Sequence, residues 1–441
     1  MTASERFLAD LCERSFLSLW SYPNLFRKPA KELTDLLVVF GNDLILFSDK
    51  SCAFPDSRDA DLDWERWFRR SISNSAAQIT QAENWIKRQP DRVYLDVNAT
   101  QRLPLALPHP DRMRFHRILI ALNSGERCQA ATGHSPLELS PKTIDNEKPF
   151  AVGRISNTNG WVHVFTEATL PVILSELSTV ADFLDYLRKK ESLYEEGKYV
   201  RSQSELDLLA YFLWNGRTFP VVEAEQWETQ PHLWGQIDSD PQFLAARKEN
   251  EVSVFWDRLI EHLNDLYMRQ DLESGNDHEI SDHERVLRVM AAETRFDRRV
   301  ASKWILERAE LAKKGYVGSL LPSNQQDVLY VLLIGPGDGG KDHARYREAR
   351  KKELSARCIA GKAAHPERRT ILGIALDAKG VKGSSEDFIL MDTSDWTAEQ
   401  IAEAERIRQD GKFFVGNKRH LDEWEYPNNA RSGTNHGSTP I

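Results

Sequence analysis

Apolar residues return at helical spacing from the start of the chain. Phe7, Leu8, Leu11, Cys12, Phe16, Leu19 and Trp20 predict an amphipathic helix over 4–20, with Ser4 as its cap and Tyr22-Pro23-Asn24 as its end. The period then changes. In KELTDLLVVFGNDLILFSDK two continuous apolar runs flank Gly41-Asn42-Asp43, the signature of a β-hairpin buried on both faces. An acidic loop at 56–63 follows, then a long helix over 64–87. Short strands are expected at 93–97, 115–122, 150–155 and 161–165, and a helix over 170–194.

From 201 to 320 the pattern is almost wholly helical, with loops at 238–241 and 273–281. It changes again at Leu321-Pro322-Ser323. A strand at 328–334, a helix at 346–360 that Asp342 could cap from an earlier start, and strands at 370–376 and 387–391 come next. Thr397 with Gln400 forms a capping box for a helix over 397–409. The expected organisation is an N-terminal α/β domain over 1–200, an acidic helical domain over 201–320, a smaller α/β domain over 321–426 and a disordered tail over 427–441.

Length and composition agree with a folded chain. At 441 residues, 41% hydrophobic and 28% charged, there is material for two or three cores and too much apolar content for a disordered protein. No apolar run approaches the ~18 residues of a membrane span. The first residues carry charges where a secretory leader needs an apolar stretch, and the four cysteines form no CxxC pair. A reduced, cytoplasmic protein is the expectation.

The net charge of −9 argues at first against a nucleic-acid partner, but its distribution changes that. Residues 201–300 hold 11 basic against 20 acidic side chains, which is the whole excess. Lys341 to Arg369 holds 10 basic against 4 acidic. An acidic middle suited to a basic protein partner thus precedes a basic stripe suited to phosphates.

The hairpin carries the most specific chemistry. Reflecting Asp35 about a turn centred at 41.5, 42 or 42.5 sets it opposite Ser48, Asp49 or Lys50. Any such register gathers carboxylates and a lysine at one end of a buried sheet, where they could hold a divalent cation and activate a water for phosphodiester hydrolysis. In these residues the chain resembles the PD-(D/E)XK, or restriction-endonuclease-like, nuclease superfamily over about 1–200. That pattern places an acid on a first helix, an Asp on one strand and (Asp/Glu)-x-Lys on the next. Glu13 or Glu5, Asp35 and Lys50 match it, and the following helix offers Gln78, Gln81 and Glu83.

One position departs from the pattern: Ser48 stands two residues before Lys50, and the acid is Asp49. A regular strand would point Asp49 away from Ser48 and Lys50. A bulge that turns Asp49 inward, a second carboxylate from Glu13 or Glu32, and a catalytically dead site are the three alternatives.

The resemblance implies Mg²⁺ or Mn²⁺ bound by Asp35, Asp49 and Glu13, with Lys50 beside the water. It implies a metal-dependent nuclease, with DNA the expected substrate and restriction, repair or antiviral defence the expected setting. Basic clusters that could track the nucleic acid are Arg66, Arg69 and Arg70, then Arg112, Arg114 and Arg117, and then Lys341, Arg345, Arg347, Arg350, Lys351 and Lys352. The competing reading is a non-catalytic scaffold that binds nucleic acid or protein.

Three other motifs carry less. Gly335 to Asp342 matches a phosphate-loop spacing, but Asp342 replaces the magnesium-binding hydroxyl. His278-Glu279-Ile280-Ser281-Asp282-His283 separates its histidines by five residues, so they diverge on a helix. His116 and His163 lie in apolar strands and read as satisfied core histidines.

Overall fold

The two apolar runs around Gly41-Asn42 pair as antiparallel strands, β2 (Lys31–Phe40) and β3 (Asp43–Lys50), in the register that joins Phe40 to Asp43 and Leu36 to Phe47. Gly41 has φ 60°, the left-handed conformation such a tight turn requires. The computed structural model describes residues 3–57, 59–220, 222–272, 277–312, 315–337, 342–381, 385–416 and 423–427. The proposed tail from 428 onward and Lys341 lie outside the described residues. The protein is mixed α/β and divides into two compact units.

The first unit comprises 1–244 and 270–284. It opens with α1 (Ala3–Phe16), β1 (Ser21–Lys28), β2 and β3, continues through α2 (Ala60–Phe68) and α3 (Asn74–Arg88), and reaches β4 (Arg114–Ala121). After α4 (Gly125–Thr132), β5 (Glu138–Ile144) and β6 (Ala151–Arg154) comes β7 (Val162–Thr166). Helices α5 (Leu170–Glu176) and α6 (Val180–Glu195) follow, then β8 (Tyr199–Arg201), α7 (Glu205–Trp214), β9 (Gln226–Glu228) and α8 (Leu233–Asp238).

Its main sheet has the order β1-β2-β3-β4-β7, with the first three strands antiparallel and β3, β4 and β7 parallel. The hairpin therefore lies inside the sheet, as its two-sided burial requires. On one face Phe16 of α1 meets Phe47, and on the other Ile79 and Ala82 of α3 lie beside Ser48. Between α2 and α3 the helix passes through one π-turn, Arg69–Ser73, rather than running unbroken.

Two expectations change here. β1 is a strand where Tyr22-Pro23-Asn24 predicts a helix end. Pro23 belongs to it because β1 is an edge strand, where a missing N–H costs no ladder bond on the open side. Conversely, 93–97 forms only an isolated bridge at Tyr94.

The second unit comprises 245–269 and 285–441. Helices α9 (Pro241–Asn250) and α11 (Ile280–Ala291) begin in the first unit's residues and end in the second's. α10 (Val254–Met268) and α12 (Arg295–Leu311) belong to the second alone. Its sheet has the order β10 (Val317–Pro322), β11 (Val328–Gly335), β12 (Thr370–Asp377) and β13 (Asp387–Asp392), with α13 (His343–Ala364) as the crossover between the parallel pair β11 and β12.

Leu329, Val331, Leu333, Leu354, Cys358, Ile371 and Ala375 form this unit's core. A Cβ on Gly373 would fall 2.4 Å from Cys358 Sγ, so only glycine lets α13 seat this closely on β12. α14 (Ala398–Asp410) opens on the expected Thr397–Gln400 capping box.

The stretch 201–320 is divided between the two units, with 201–244 and 270–284 in the first and the rest in the second. Several of its acids serve internal ion pairs: Glu205 with buried Lys190 at 2.6 Å, and Asp257 with Arg295 and Arg298 at 2.6 Å each. Among the described residues no helix is long and apolar enough to cross a membrane.

Candidate active site at the mouth of the β2–β3 hairpin

Continuing the β2–β3 register one step past Leu36 and Phe47 sets Asp35 opposite Ser48. There the strands part. Asp35 Oδ2 accepts the Asp49 backbone N–H at 2.6 Å, and Thr34 Oγ1 donates to the Phe47 carbonyl at 2.7 Å. Asp35 is half-buried with its charge in poor company. Burial is the main force lifting its pKa, to about 6, and the Asp49, Glu5 and Glu32 carboxylates add to it while the Asp49 N–H works the other way.

Asp35 opens on a cavity of about 150 Å³ shared with Glu32, Ser48, Gln78 and Gln81. Arg27 of β1 joins the same wall. Its guanidinium lies 5.9 Å over the Trp85 ring, and its Nε is buried with no hydrogen-bond partner among the described residues. Sequence reading missed Arg27 because Pro23 hid the strand that carries it.

β3 contains no bulge. Its parallel ladder with β4 runs unbroken from Asp43 opposite Arg114 to Lys50 opposite Ala121. Ser48 and Lys50 accordingly share the α3 face, and Asp49 points to the α1 face. This replaces the reading in which a bulge turns Asp49 inward: Asp49 reaches the site through its backbone N–H and its charge. Glu13 is exposed on α1 and is not among the carboxylates acting on Asp35, whereas Glu5, one turn into α1, is. Glu83 is withdrawn from the site, buried at 2.7 Å from Arg117 Nε and 2.6 Å from Lys87.

Oxygen donors of this kind suit a hard divalent cation, and Mg²⁺ needs only one or two carboxylates when waters and a substrate phosphate complete its shell. Asp35 and Glu32 on one cavity meet that requirement. Among the described residues no group of three or more His, Cys, Asp or Glu is placed to hold a metal.

The basic clusters sort by burial. Arg69 and Arg70 are exposed on the π-turn and Arg66 is half-buried. Arg345 and Lys352 are exposed and Lys351 is half-buried. Arg347 and Arg350 correct the sequence expectation because both are turned inward. Arg350 is fully buried, 2.7 Å from Asp387, 2.9 Å from Ser385 Oγ and 2.5 Å from Asp377, and Arg347 binds Asp387 as well. Two buried carboxylates at the strand ends need these cations as neighbours, which is why Arg347 and Arg350, one turn apart, face inward.

At the other end of β3 the two histidines are buried and joined. His116 Nε2 lies 2.9 Å from Asp43, its Nδ1 3.0 Å from Glu191, and Glu191 is 3.0 Å from His163 Nε2. Arg188 of α6 closes the chain on Asp43 through its Nε at 3.1 Å.

Comparison of the chain with protein-family models, curated proteins and solved structures finds no match.

Proposed function

We propose that the first unit is a metal-dependent nuclease of restriction-endonuclease-like fold that hydrolyses nucleic-acid phosphodiesters, with DNA its expected substrate. The observation that carries the reading is the half-buried Asp35, surrounded by carboxylates, on the same strand face and sheet end as Ser48 and Lys50. Asp35 and Glu32 would hold Mg²⁺ or Mn²⁺, and the ion, when bound, would supply charge neutralisation at the phosphate and a water of lowered pKa.

The chain's own groups have separate tasks. Asp49's N–H fixes the Asp35 carboxylate. Lys50 orients the attacking water and stabilises charge that develops on the phosphate. Gln78 and Gln81 offer amide groups to water or phosphate, and Arg27 offers a guanidinium from the cavity wall. Arg69 and Arg70, exposed one helix away, suit the backbone of a longer substrate.

Ser48 favours a second reading. A hydroxyl stands where the nuclease pattern has a carboxylate, which fits a scaffold that binds nucleic acid or a protein without cutting. Plasmid nicking with Mg²⁺, Mn²⁺ or EDTA separates the two. Metal-dependent cleavage lost in Asp35→Asn supports the nuclease; no cleavage of duplex, single-stranded or RNA substrates by wild type leaves the scaffold.

A further inference from the structure

The second unit contains a cleft of about 1070 Å³ between α12 and β10, at the upper end of the range for small-molecule sites. Glu293 stands in its wall at 2% exposure. Its Oε1 accepts three neutral donors: Ser323 Oγ at 2.6 Å, Gln325 Nε2 at 2.7 Å and the Tyr330 hydroxyl at 2.7 Å. Its Oε2 is buried and has no hydrogen-bond partner among the described residues. Burial, and next the Asp297 carboxylate, push this acid up to about 7.

The cleft is polarised along β10. Ser323, just past the strand, marks the Glu293 end. Ser319 marks the other, where its Oγ accepts the Trp304 Nε1–H at 2.9 Å and the Arg308 Nε–H at 2.8 Å. Four residues of extended chain separate the two by about 13 Å. The segment after α14 meets β10 at this second end, with Phe414 beside Gly318, and Arg408, which Glu405 holds at 2.8 Å, and exposed Lys412 line the cleft. Half-buried Phe296 and Phe414 supply aromatic surface, with Trp304 buried behind them.

We propose that this cleft binds a nucleotide, its base stacked on the aromatic walls with an N–H edge on Glu293 Oε2 and its phosphate at the Arg308–Arg408–Lys412 end. Each part answers one feature of the ligand. A buried carboxylate oxygen accepts from a ring or exocyclic N–H, aromatic rings take the base's π-face, and guanidinium and ammonium groups take the phosphate. An amine alone would leave Lys412 without a counter-charge, and inorganic phosphate would leave Glu293 without its donor.

Calorimetric titration of the full chain in EDTA with AMP, GMP, CMP and UMP, their nucleosides and inorganic phosphate tests this. At least one nucleotide is expected to bind with Kd near 100 µM or tighter, a free energy of about −5.5 kcal/mol. Glu293→Gln keeps an acceptor for Ser323 and Tyr330 but presents a donor in place of the second oxygen, and should weaken that nucleotide at least tenfold at unchanged Tm. Lys412→Glu should weaken the nucleotide severalfold and leave its nucleoside unchanged. Absence of binding by all four nucleotides at millimolar concentration overturns the proposal, as does a Glu293→Gln variant that binds like wild type. Should Glu293→Gln lower the Tm, Phe414→Ala and Lys412→Glu decide, and wild-type affinity in both overturns the proposal equally.

Discussion

The backbone N–H of Asp49 donates to the carboxylate of Asp35 at 2.6 Å across the open mouth of the β2–β3 hairpin. The bond locks one carboxylate oxygen of Asp35 and leaves the side chain facing the cavity that Gln78 and Gln81 line. It also explains how Asp49 serves the site from a strand position whose side chain faces the other way.

A pH-dependent cost follows from the same carboxylate. Asp35 has its pKa raised to about 6, so the protonated form is the one the fold favours. Its contribution is present below the ordinary carboxylate value near 4 and is lost as pH rises through about 6. Asp35→Asn should therefore raise the Tm at pH 8, by about 2 kcal/mol of stability after solvent screening, with no gain at pH 4. Mg²⁺ should raise the wild-type Tm at pH 8 and leave the Asn variant unmoved. Equal metal response in both variants would remove Asp35 from the site.

The histidine network gives an independent titration. Burial opposes the charged form of His116, but Asp43 and Glu191 on its two nitrogens outweigh it and hold the pKa above the usual value. Its stabilisation is full below pH 6.5 and is lost as pH rises through the raised value. His163, buried on the same glutamate, is shifted downward and stays neutral where His116 is charged. Two-dimensional NMR of the imidazole rings should resolve one titration above pH 6.5 and one below. Glu191 raises both rings, so Glu191→Gln should move both titrations downward and destabilise the unit by about 3 kcal/mol.

Burial also separates two kinds of basic residue on α13. Charge reversal at Arg350 should unfold the second unit, since it sets a third buried carboxylate beside Asp377 and Asp387. Reversal at Arg345 or Lys352 leaves the core alone. If α13 contacts duplex DNA, each should lower the slope of log affinity against log salt by about 0.9. A slope unchanged in both variants would make the helix an ordinary solvated face.

The hairpin was legible because continuous apolar runs on both sides of a Gly-Asn turn admit few structures, and reflection about that turn already limited the partners of Asp35. β1 was not, because Pro23 reads as a break unless the strand is known to be an edge. The inward turn of Arg347 and Arg350 was hidden for a different reason. Their partners, Asp377 and Asp387, lie 27 to 40 residues away at strand ends, and a local charge count cannot see them. Glu293 was hidden in the same way: its three donors come from 30 to 37 residues downstream, and in a charged helical stretch a lone glutamate reads as solvated.

The decisive test of the proposed nuclease is a series on β3 itself. Ser48 and Lys50 share the face toward α3 and Asp49 the opposite one, so their substitutions should have unequal effects. Lys50→Ala and Asp35→Asn should each reduce metal-dependent nicking at least a hundredfold, because metal and charge stabilisation act mainly on the transition state, where 2.7 kcal/mol is about a factor of 100. Asp49→Asn should cost no more than about tenfold, since its N–H to Asp35 remains. Ser48→Ala should be nearly silent. Ser48→Glu is the informative gain: it sets a carboxylate on the cavity opposite Asp35, completes the acid-x-Lys spacing with Lys50, and should raise both metal affinity and nicking rate. The tight site is the obstacle, so Ser48→Asp, one methylene shorter, is run beside it. If neither acid raises Mg²⁺-induced thermal stabilisation or cleavage, and Lys50→Ala cuts like wild type, the hairpin mouth is not a catalytic metal site and the scaffold reading takes its place.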